Sequence, residues 1–137
     1  MKLIDSNILV YTFNSESIFH KKALSLVNDD NLCITIQNLL ETFRVITSST
    51  QFEKPINEKL AWEQLTLIRN SFDILTTRLS TLEMLYTLIN KYKVRSYGIY
   101  NANLVAHMID YGVSTIYTNN PKDFLKFKEI EVINPFD

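Results

Sequence analysis

Short apolar runs alternate along the chain with longer stretches in which apolar residues recur every three or four positions. Lys2-Leu3-Ile4 reads as a strand that stops at Asp5-Ser6-Asn7, three residues of turn and N-cap type, and Ile8, Leu9, Tyr11 and Thr12 continue as a helical turn. Phe19, Ala23, Leu26 and Val27 recur at helical intervals as far as Asp29-Asp30, with Ser15 or Ser17 available as the N-cap. Leu32 to Thr35 is short, apolar and β-branched, and predicts a second strand. Ile36, Leu39, Leu40, Phe43 and Ile46 then make a helical stripe, ended by a polar break from Thr47 to Pro55. Leu60, Ala61, Leu65 and Ile68 predict another helix, Phe72 to Leu75 a third strand, and Leu79, Leu82, Leu85, Ile89 and Tyr92 a helix punctuated by Gly98. Ile99 to Tyr111 reads as the last helix, with Gly112 in the C′ position, where a left-handed backbone is easiest for glycine. Val113 to Tyr117 is a fourth strand and Glu131 to Ile133 a weaker fifth.

Strands separated by helices imply βαβ units. The expected class is therefore an α/β fold of three layers, with a central, mainly parallel sheet of four to five strands flanked by helices. The length, 137 residues, suits one domain spanning 1–137. In such sheets ligands bind beyond the carboxyl ends of the strands, near the point where strand order reverses. Asp5 follows the first strand, and Thr118 to Asp123, within the segment YTNNPKDF, follow the fourth.

Composition narrows the function classes. Apolar residues at 46% and charged residues at 21% fit a soluble globular chain. No apolar stretch approaches the roughly 18 residues of a membrane span, and Asp5 interrupts the N-terminal run, so a cytoplasmic protein without a membrane partner is expected. Cys33 is the single cysteine and reads as a core residue, with neither a disulfide partner nor metal-ligand spacing. Fourteen basic against fifteen acidic residues leave a net charge of −1, which argues against coating nucleic acid through bulk electrostatics. Two local clusters, Lys91, Lys93 and Arg95, and Lys122, Lys126 and Lys128, are either solvated faces or phosphate contacts. With two glycines in the chain there is no glycine-rich phosphate loop, and a nucleotide cofactor is not expected.

The candidate chemistry is oxygen-based. Asp5 serves equally well as an N-cap or a functional acid, and Asp123, Thr118 and Asn119 as turn residues or site residues. Glu41 lies far round its helix from Leu39, Leu40 and Phe43, which by periodicity alone favours a solvated role. Asn101 falls on the side of Leu104, Val105 and Met108, whereas Asn103, His107 and Asp110 share the polar side. A buried amide without a partner costs about 1 to 3 kcal/mol, so Asn101 should face a polar site from the first turn of its helix. His20 and His107 lie on separate helices with no triad or HExxH spacing and read as surface or boundary residues; Ser6 has no nucleophile-elbow context. Asp5, Glu41, Asn101 and Asp123, with Thr118 and Asn119 nearby, remain. Carboxylates brought together repel unless a cation compensates them, and hard oxygen ligands suit Mg²⁺ or Mn²⁺. The matching chemistry is metal-assisted phosphodiester hydrolysis.

LIDSNILVY, ITIQNLLETFRVIT, YGIYNANLVAHMIDYG and IYTNNPKDF, in this order and at these separations, resemble a PIN-domain protein of the VapC type over nearly the whole chain. The resemblance implies a PIN-like fold and a Mg²⁺- or Mn²⁺-dependent endoribonuclease of the toxin type. It also implies a cognate VapB-like antitoxin that binds and inhibits the nuclease, and a homodimer. Carried over by position, the acids fall on Asp5, Glu41, Asn101 and Asp123, which would be both catalytic and metal-binding. Thr118 matches the hydroxyl residue that opens the final motif, Asn7 the polar residue after the first acid, and Arg44 a common basic position. Arg44, Lys91, Lys93, Arg95, Lys122 and Lys126 are the candidates for holding RNA phosphates. The family pattern usually reads Tyr-Asp-Ala where this chain has Tyr100-Asn101-Ala102. An amide carbonyl can still ligate Mg²⁺, but it removes one unit of negative charge and so weakens attraction for the ion. That leaves a variant that cleaves, a variant that has lost cleavage, or an engineered Asp-to-Asn change. Two other readings stand beside the nuclease: a non-catalytic PIN module that binds RNA or a partner protein, and a phospho-receiver-like domain, which Asp5 suits without a paired acid beside it.

Overall fold

Strand order, more than strand length, sets this architecture. A computed structural model describes residues 1–137. The elements are β1 (Lys2–Ile4), α1 (Ser6–Phe13), α2 (His20–Leu26), β2 (Leu32–Thr35), α3 (Ile36–Ile46), α4 (Glu58–Ser71), β3 (Asp73–Leu75), α5 (Leu79–Tyr92), α6 (Gly98–Asp110), β4 (Thr115–Tyr117), a 3-10 turn at Pro121–Asp123, and β5 (Glu131–Ile133). The five strands form one sheet in the order β3-β2-β1-β4-β5, and all four pairings are parallel. The chain lays down β1, β2 and β3 in one direction and then returns to place β4 and β5 on the other side of β1. Right-handed crossovers running in opposite directions must cover opposite faces of the sheet.

The two cores record this division. Alternate residues of a strand point to opposite faces. Ile4, Leu32 and Ile34 pack with Ile8, Leu9, Ala23, Leu39 and Leu65 from α1 to α4. Leu3, Cys33, Leu75 and Ile116 pack on the other side with Leu88, Ala102, Val105 and Met108 from α5 and α6. Cys33 is fully buried, and desolvation pushes its thiol up to about 12, so it is a packing residue as its isolation in the sequence implied.

Where boundaries differ from the sequence pattern, a cap is responsible. The last strand-like run starts at Val113 by composition, yet β4 begins at Thr115. Gly112 has φ +71°, its N–H bonds to Ile109 O at 3.2 Å, and the Val113 N–H bonds to Met108 O at 2.8 Å. This is a Schellman cap, and it draws Val113 into the end of α6. Phe72 likewise serves as C-cap of α4, so β3 starts at Asp73. Ser17 does not cap a helix directly. Its Oγ accepts from Phe19 N and its carbonyl from His20 N, closing a turn that delays α2 to His20.

His107 also departs from the pattern. Its side is polar by composition, but it is only 2% exposed. A carbonyl can only accept, so Nδ1 carries the proton donated to Asn103 O at 2.7 Å, and Nε2 accepts from Thr77 Oγ1 at 2.9 Å. Two satisfied ring nitrogens make burial tolerable. A second polar tie lies beside it. Arg78 Nε donates to Asp110 Oδ2 at 2.9 Å, and the guanidinium stacks over Tyr111 at 3.9 Å, fixing the start of α5 to the end of α6.

Candidate active site

Strand order reverses between β1 and β4, and both strands end there in polar residues. The ladder continues one residue past each strand, through Asp5 N to Tyr117 O at 2.9 Å and Thr118 N to Ile133 O at 3.0 Å. This holds the backbones of Asp5 and Thr118 beside one another. Thr118, fully buried, donates its hydroxyl to Asp5 Oδ2 at 2.7 Å. Oδ1 of Asp5 accepts from Ser6 N at 2.8 Å. Asp5 is therefore the N-cap of α1 and, through its other oxygen, part of a polar cluster.

A cleft of about 300 Å³ opens over this point. Asp5, Glu41, Asn101 and Asp123 all line it, with Asn7 and Arg44. Asp123 reaches it from the 3-10 turn that Pro121 initiates, and its carboxylate accepts from Asn120 Nδ2. Asn7 Nδ2 donates to Thr118 Oγ1 at 3.3 Å, and Asn119 Nδ2 donates to Tyr11 OH at 2.9 Å. Asn119 thus supports the rim and does not line the cleft. Asn101 projects from the first turn of α6 beside the polar site.

Glu41 departs from the periodicity of its helix. Periodicity assigns it to solvent, yet it is half-buried and accepts from Ser6 Oγ at 3.0 Å and Gln37 Nε2 at 3.3 Å. The helix is turned relative to its apparent stripe: Ile36 and Leu40 are exposed, whereas Asn38 and Thr42 are buried with Leu39 and Ile46. Asn38 is satisfied there. Its Oδ1 accepts from Thr35 N at 2.8 Å in a capping box, and its Nδ2 donates to Ser6 Oγ at 3.0 Å. Burying these amide and hydroxyl groups swings Gln37, Glu41 and Arg44 onto the cleft side. Those three share the i, i+4, i+7 spacing of one helical edge.

Ser6, Gln37, Asn38, Asn103 and Asn120 complete the cluster and were not read as site residues from the sequence. Ser6 and Asn120 sit within recognisable signals, the run Asp5-Ser6-Asn7 and the segment YTNNPKDF. Thr35 with Asn38 has the spacing of a capping box but lacks the usual Glu or Gln, which hid it.

The basic candidates divide. Arg44 lines the cleft while its Nη1 donates to Gln51 Oε1 at 2.8 Å, and Lys122 stands exposed next to Asp123. Lys91 is paired with Glu129 at 2.9 Å. Glu129 precedes β5, so this pair lies toward the amino ends of the strands, the opposite edge of the sheet from Asp5. Lys93 and Arg95 follow Lys91 in the exposed α5–α6 connection, and Lys126 lies over the Phe127 ring at 5.2 Å. None of these four lines the cleft.

Burial raises the Asp5 carboxyl from 3.8 to about 6; bonds from Thr118 and Ser6 oppose the rise, and the charges of Glu41 and Asp123 add to it. The pocket is short of positive charge. Among Asp, Glu, His and Cys side chains, no three gather closely enough to enclose a metal ion by themselves. Mg²⁺ suits such a loose set of hard oxygens, because it retains several waters and needs only one or two direct carboxylates. The donor chemistry fits the ion.

A sequence profile of the PIN domain matches residues 2–130. No curated protein matches the chain in sequence. Among solved structures, a toxin-antitoxin complex from Klebsiella pneumoniae is similar at TM-score 0.69 and 21% identity, covering 100% of this chain and 99% of that one. VapC20 of Mycobacterium tuberculosis, described as a Sarcin-Ricin loop cleaving toxin, is similar at TM-score 0.70 and 15% identity, covering 96% and 99%. VapBC-1 of nontypeable Haemophilus influenzae gives TM-score 0.71 and 14% identity, covering 99% and 98%. At these identities the likeness is one of fold.

Proposed function

Because this chain belongs to the PIN domain family, we propose that it is a divalent-metal-dependent endoribonuclease of the toxin type. The observation that carries the reading is the meeting of Asp5, Glu41, Asn101 and Asp123 around one cleft at the switch point of the sheet. In this reading those four side chains hold Mg²⁺ or Mn²⁺. When bound, the ion supplies an activated water and neutralises charge on the leaving oxygen.

The chain's own residues do the rest. Thr118 and Ser6 N fix both oxygens of Asp5, so the carboxylate is oriented before any ion arrives. Ser6 Oγ and Gln37 fix Glu41 in the same way. In this reading Arg44, on the cleft, and Lys122, next to Asp123, receive substrate phosphates beside the acids. Asp5 must be ionised to serve, and its raised pKa makes the affinity for the ion rise with pH through about 6. The toxin-antitoxin complexes among the similar folds support a VapB-like antitoxin as partner, and a homodimer with a cytoplasmic place of action belongs to the same reading. No helix is long and apolar enough to cross a membrane.

The test is incubation with a cellular RNA pool and Mg²⁺. Discrete cleavage, abolished by chelator and by Asp5→Ala, is expected; RNA left intact by the folded protein refutes it. Asn101, one charge short, favours the second reading, a PIN module that binds RNA or protein without cutting. The receiver-like reading loses its support, since receiver sheets run 2-1-3-4-5 and this one runs 3-2-1-4-5.

A further inference from the structure

Tyr11 lines the acidic cleft, yet none of its hydrogen bonds goes to an acid. It stands one helical turn beyond Asn7 on α1, so the two side chains share a face. Three contacts fix its ring and backbone. The ring packs against Phe19 at 4.9 Å and meets Phe136 edge-on at 5.6 Å, and the carbonyl accepts from His20 Nδ1 at 2.8 Å. The hydroxyl oxygen accepts from Asn119 Nδ2 at 2.9 Å. Asn119 is itself held, because its Oδ1 accepts from Asn134 Nδ2 at 3.1 Å, and Asn134 Oδ1 accepts from Phe136 N at 3.0 Å. The segment that follows β5 therefore braces both the ring and the hydroxyl of Tyr11. A phenol has one proton to donate. The bond from Asn119 is the hydroxyl's one tie to the protein, and it uses a lone pair, so the proton is uncommitted.

We propose that the Tyr11 hydroxyl donates a hydrogen bond to a nonbridging phosphate oxygen of the RNA, and that Asn119, Asn134 and Phe136 are positioning residues that aim it. This rests on the nuclease reading above and adds a substrate-binding residue to it. A phosphodiester approaching Asp5, Glu41 and Asp123 is repelled by them, so donors on the same cleft are needed to hold it. Several are already spent. Arg44 donates to Gln51, Asn7 to Thr118 Oγ1, and Asn120 to Asp123. Tyrosine hydroxyls are among the side-chain groups that contact phosphates in nucleic-acid complexes, and a donor locked in place beforehand loses little freedom on binding. Accepting from Asn119 turns the proton of Tyr11 away from that amide. It also makes the hydroxyl a better donor, since hydrogen bonds in a chain polarise one another.

The experiment measures binding apart from cleavage, by filter retention of a cellular RNA pool in Ca²⁺ buffer, with Mn²⁺ affinity read separately by electron paramagnetic resonance. Tyr11→Phe removes the hydroxyl and keeps the ring. It should weaken RNA retention roughly ten- to a hundredfold, the range for one hydrogen bond to a charged group, while Mn²⁺ affinity stays within about twofold of the parent. Asn119→Ala keeps its backbone N–H on Asn7 Oδ1. It should weaken retention roughly two- to tenfold in the parent and leave Tyr11→Phe unchanged, because the amide acts through the hydroxyl. Asn134→Ala should show the same dependence. A residue that served only the fold would cost as much in either background. RNA retained equally by parent and Tyr11→Phe would overturn the proposal, as would a parent that retains none. So would a Mn²⁺ affinity that falls in step with retention, since Tyr11 would then act on the acids. Additive losses in Tyr11→Phe and Asn119→Ala would overturn the positioning role. Failure of the two readings is distinguishable. RNA held through Tyr11 yet never cut removes the nuclease and leaves the contact; RNA cut with a KM indifferent to Tyr11→Phe does the reverse.

Discussion

Replacing Asp5 by asparagine should make the metal-free protein more stable at neutral pH, although it removes the central acid of the cleft. Burial, with the charges of Glu41 and Asp123, lifts the Asp5 carboxyl from 3.8 to about 6. A shift of about two units corresponds to roughly 3 kcal/mol at 1.36 kcal/mol per unit. The sign follows from linkage. An acid whose folded-state pKa is raised contributes stability that is present below about pH 4 and is lost as pH rises through about 6. Asp5 is half-buried and solvent screens part of the effect, so about 1 to 3 kcal/mol is expected. The lost hydrogen-bond acceptor of Asp5→Asn is a constant offset with pH, and the pH dependence of the difference isolates the charge. The assay is urea denaturation of parent and variant in chelator between pH 4.5 and 8. The stability difference should swing toward the variant as pH rises toward about 6 and level off above it, and Mg²⁺ should shrink the swing by compensating the ionised parent. A difference flat to within about 0.5 kcal/mol across the range would refute the claim that Asp5 sits in an electronegative, desolvated pocket.

Other consequences are as direct. Asn101→Asp restores one negative charge to the cleft and should strengthen Mg²⁺ binding by roughly tenfold or more while raising RNA cleavage; unchanged calorimetric titration and turnover would exclude Asn101 as a ligand. His107→Ala should cost about 2 to 4 kcal/mol in chemical denaturation, because it opens a cavity at a buried side chain and removes its hydrogen bonds to Thr77 and the Asn103 carbonyl. Lys93 holds φ 54°, a left-handed conformation costing a non-glycine residue about 1 kcal/mol, so Lys93→Gly should raise unfolding stability by up to that amount with no change in RNA binding.

The ends of strands were the legible part of this sequence. Asp5 and Thr118 stand where an apolar run gives way to polar residues, and in a parallel sheet those points converge by topology. Strand order itself was not legible, since the same run of elements permits other orders. Glu41 stood among the candidate acids, but periodicity alone pointed it to solvent, because hydrophobic periodicity treats Asn38 and Thr42 as solvent-facing. In the fold they are buried, each satisfied by hydrogen bonds, while Leu40 is left outside. His107 misled for the same reason: a polar residue with both ring nitrogens bonded packs as readily as an apolar one. The basic clusters showed the reverse weakness. Lys91, Lys93 and Arg95 are adjacent in sequence, but charge spacing carries no information about which edge of the sheet they occupy. Lys91 is taken up by Glu129, and none of the three lines the cleft.

Manganese binding followed by electron paramagnetic resonance tests the central claim most directly. The account predicts one saturable Mn²⁺ per chain near neutral pH, competed by Mg²⁺ and weakened at least tenfold by alanine at each of Asp5, Glu41 and Asp123. Absence of saturable binding, or an affinity indifferent to all three substitutions, would contradict it.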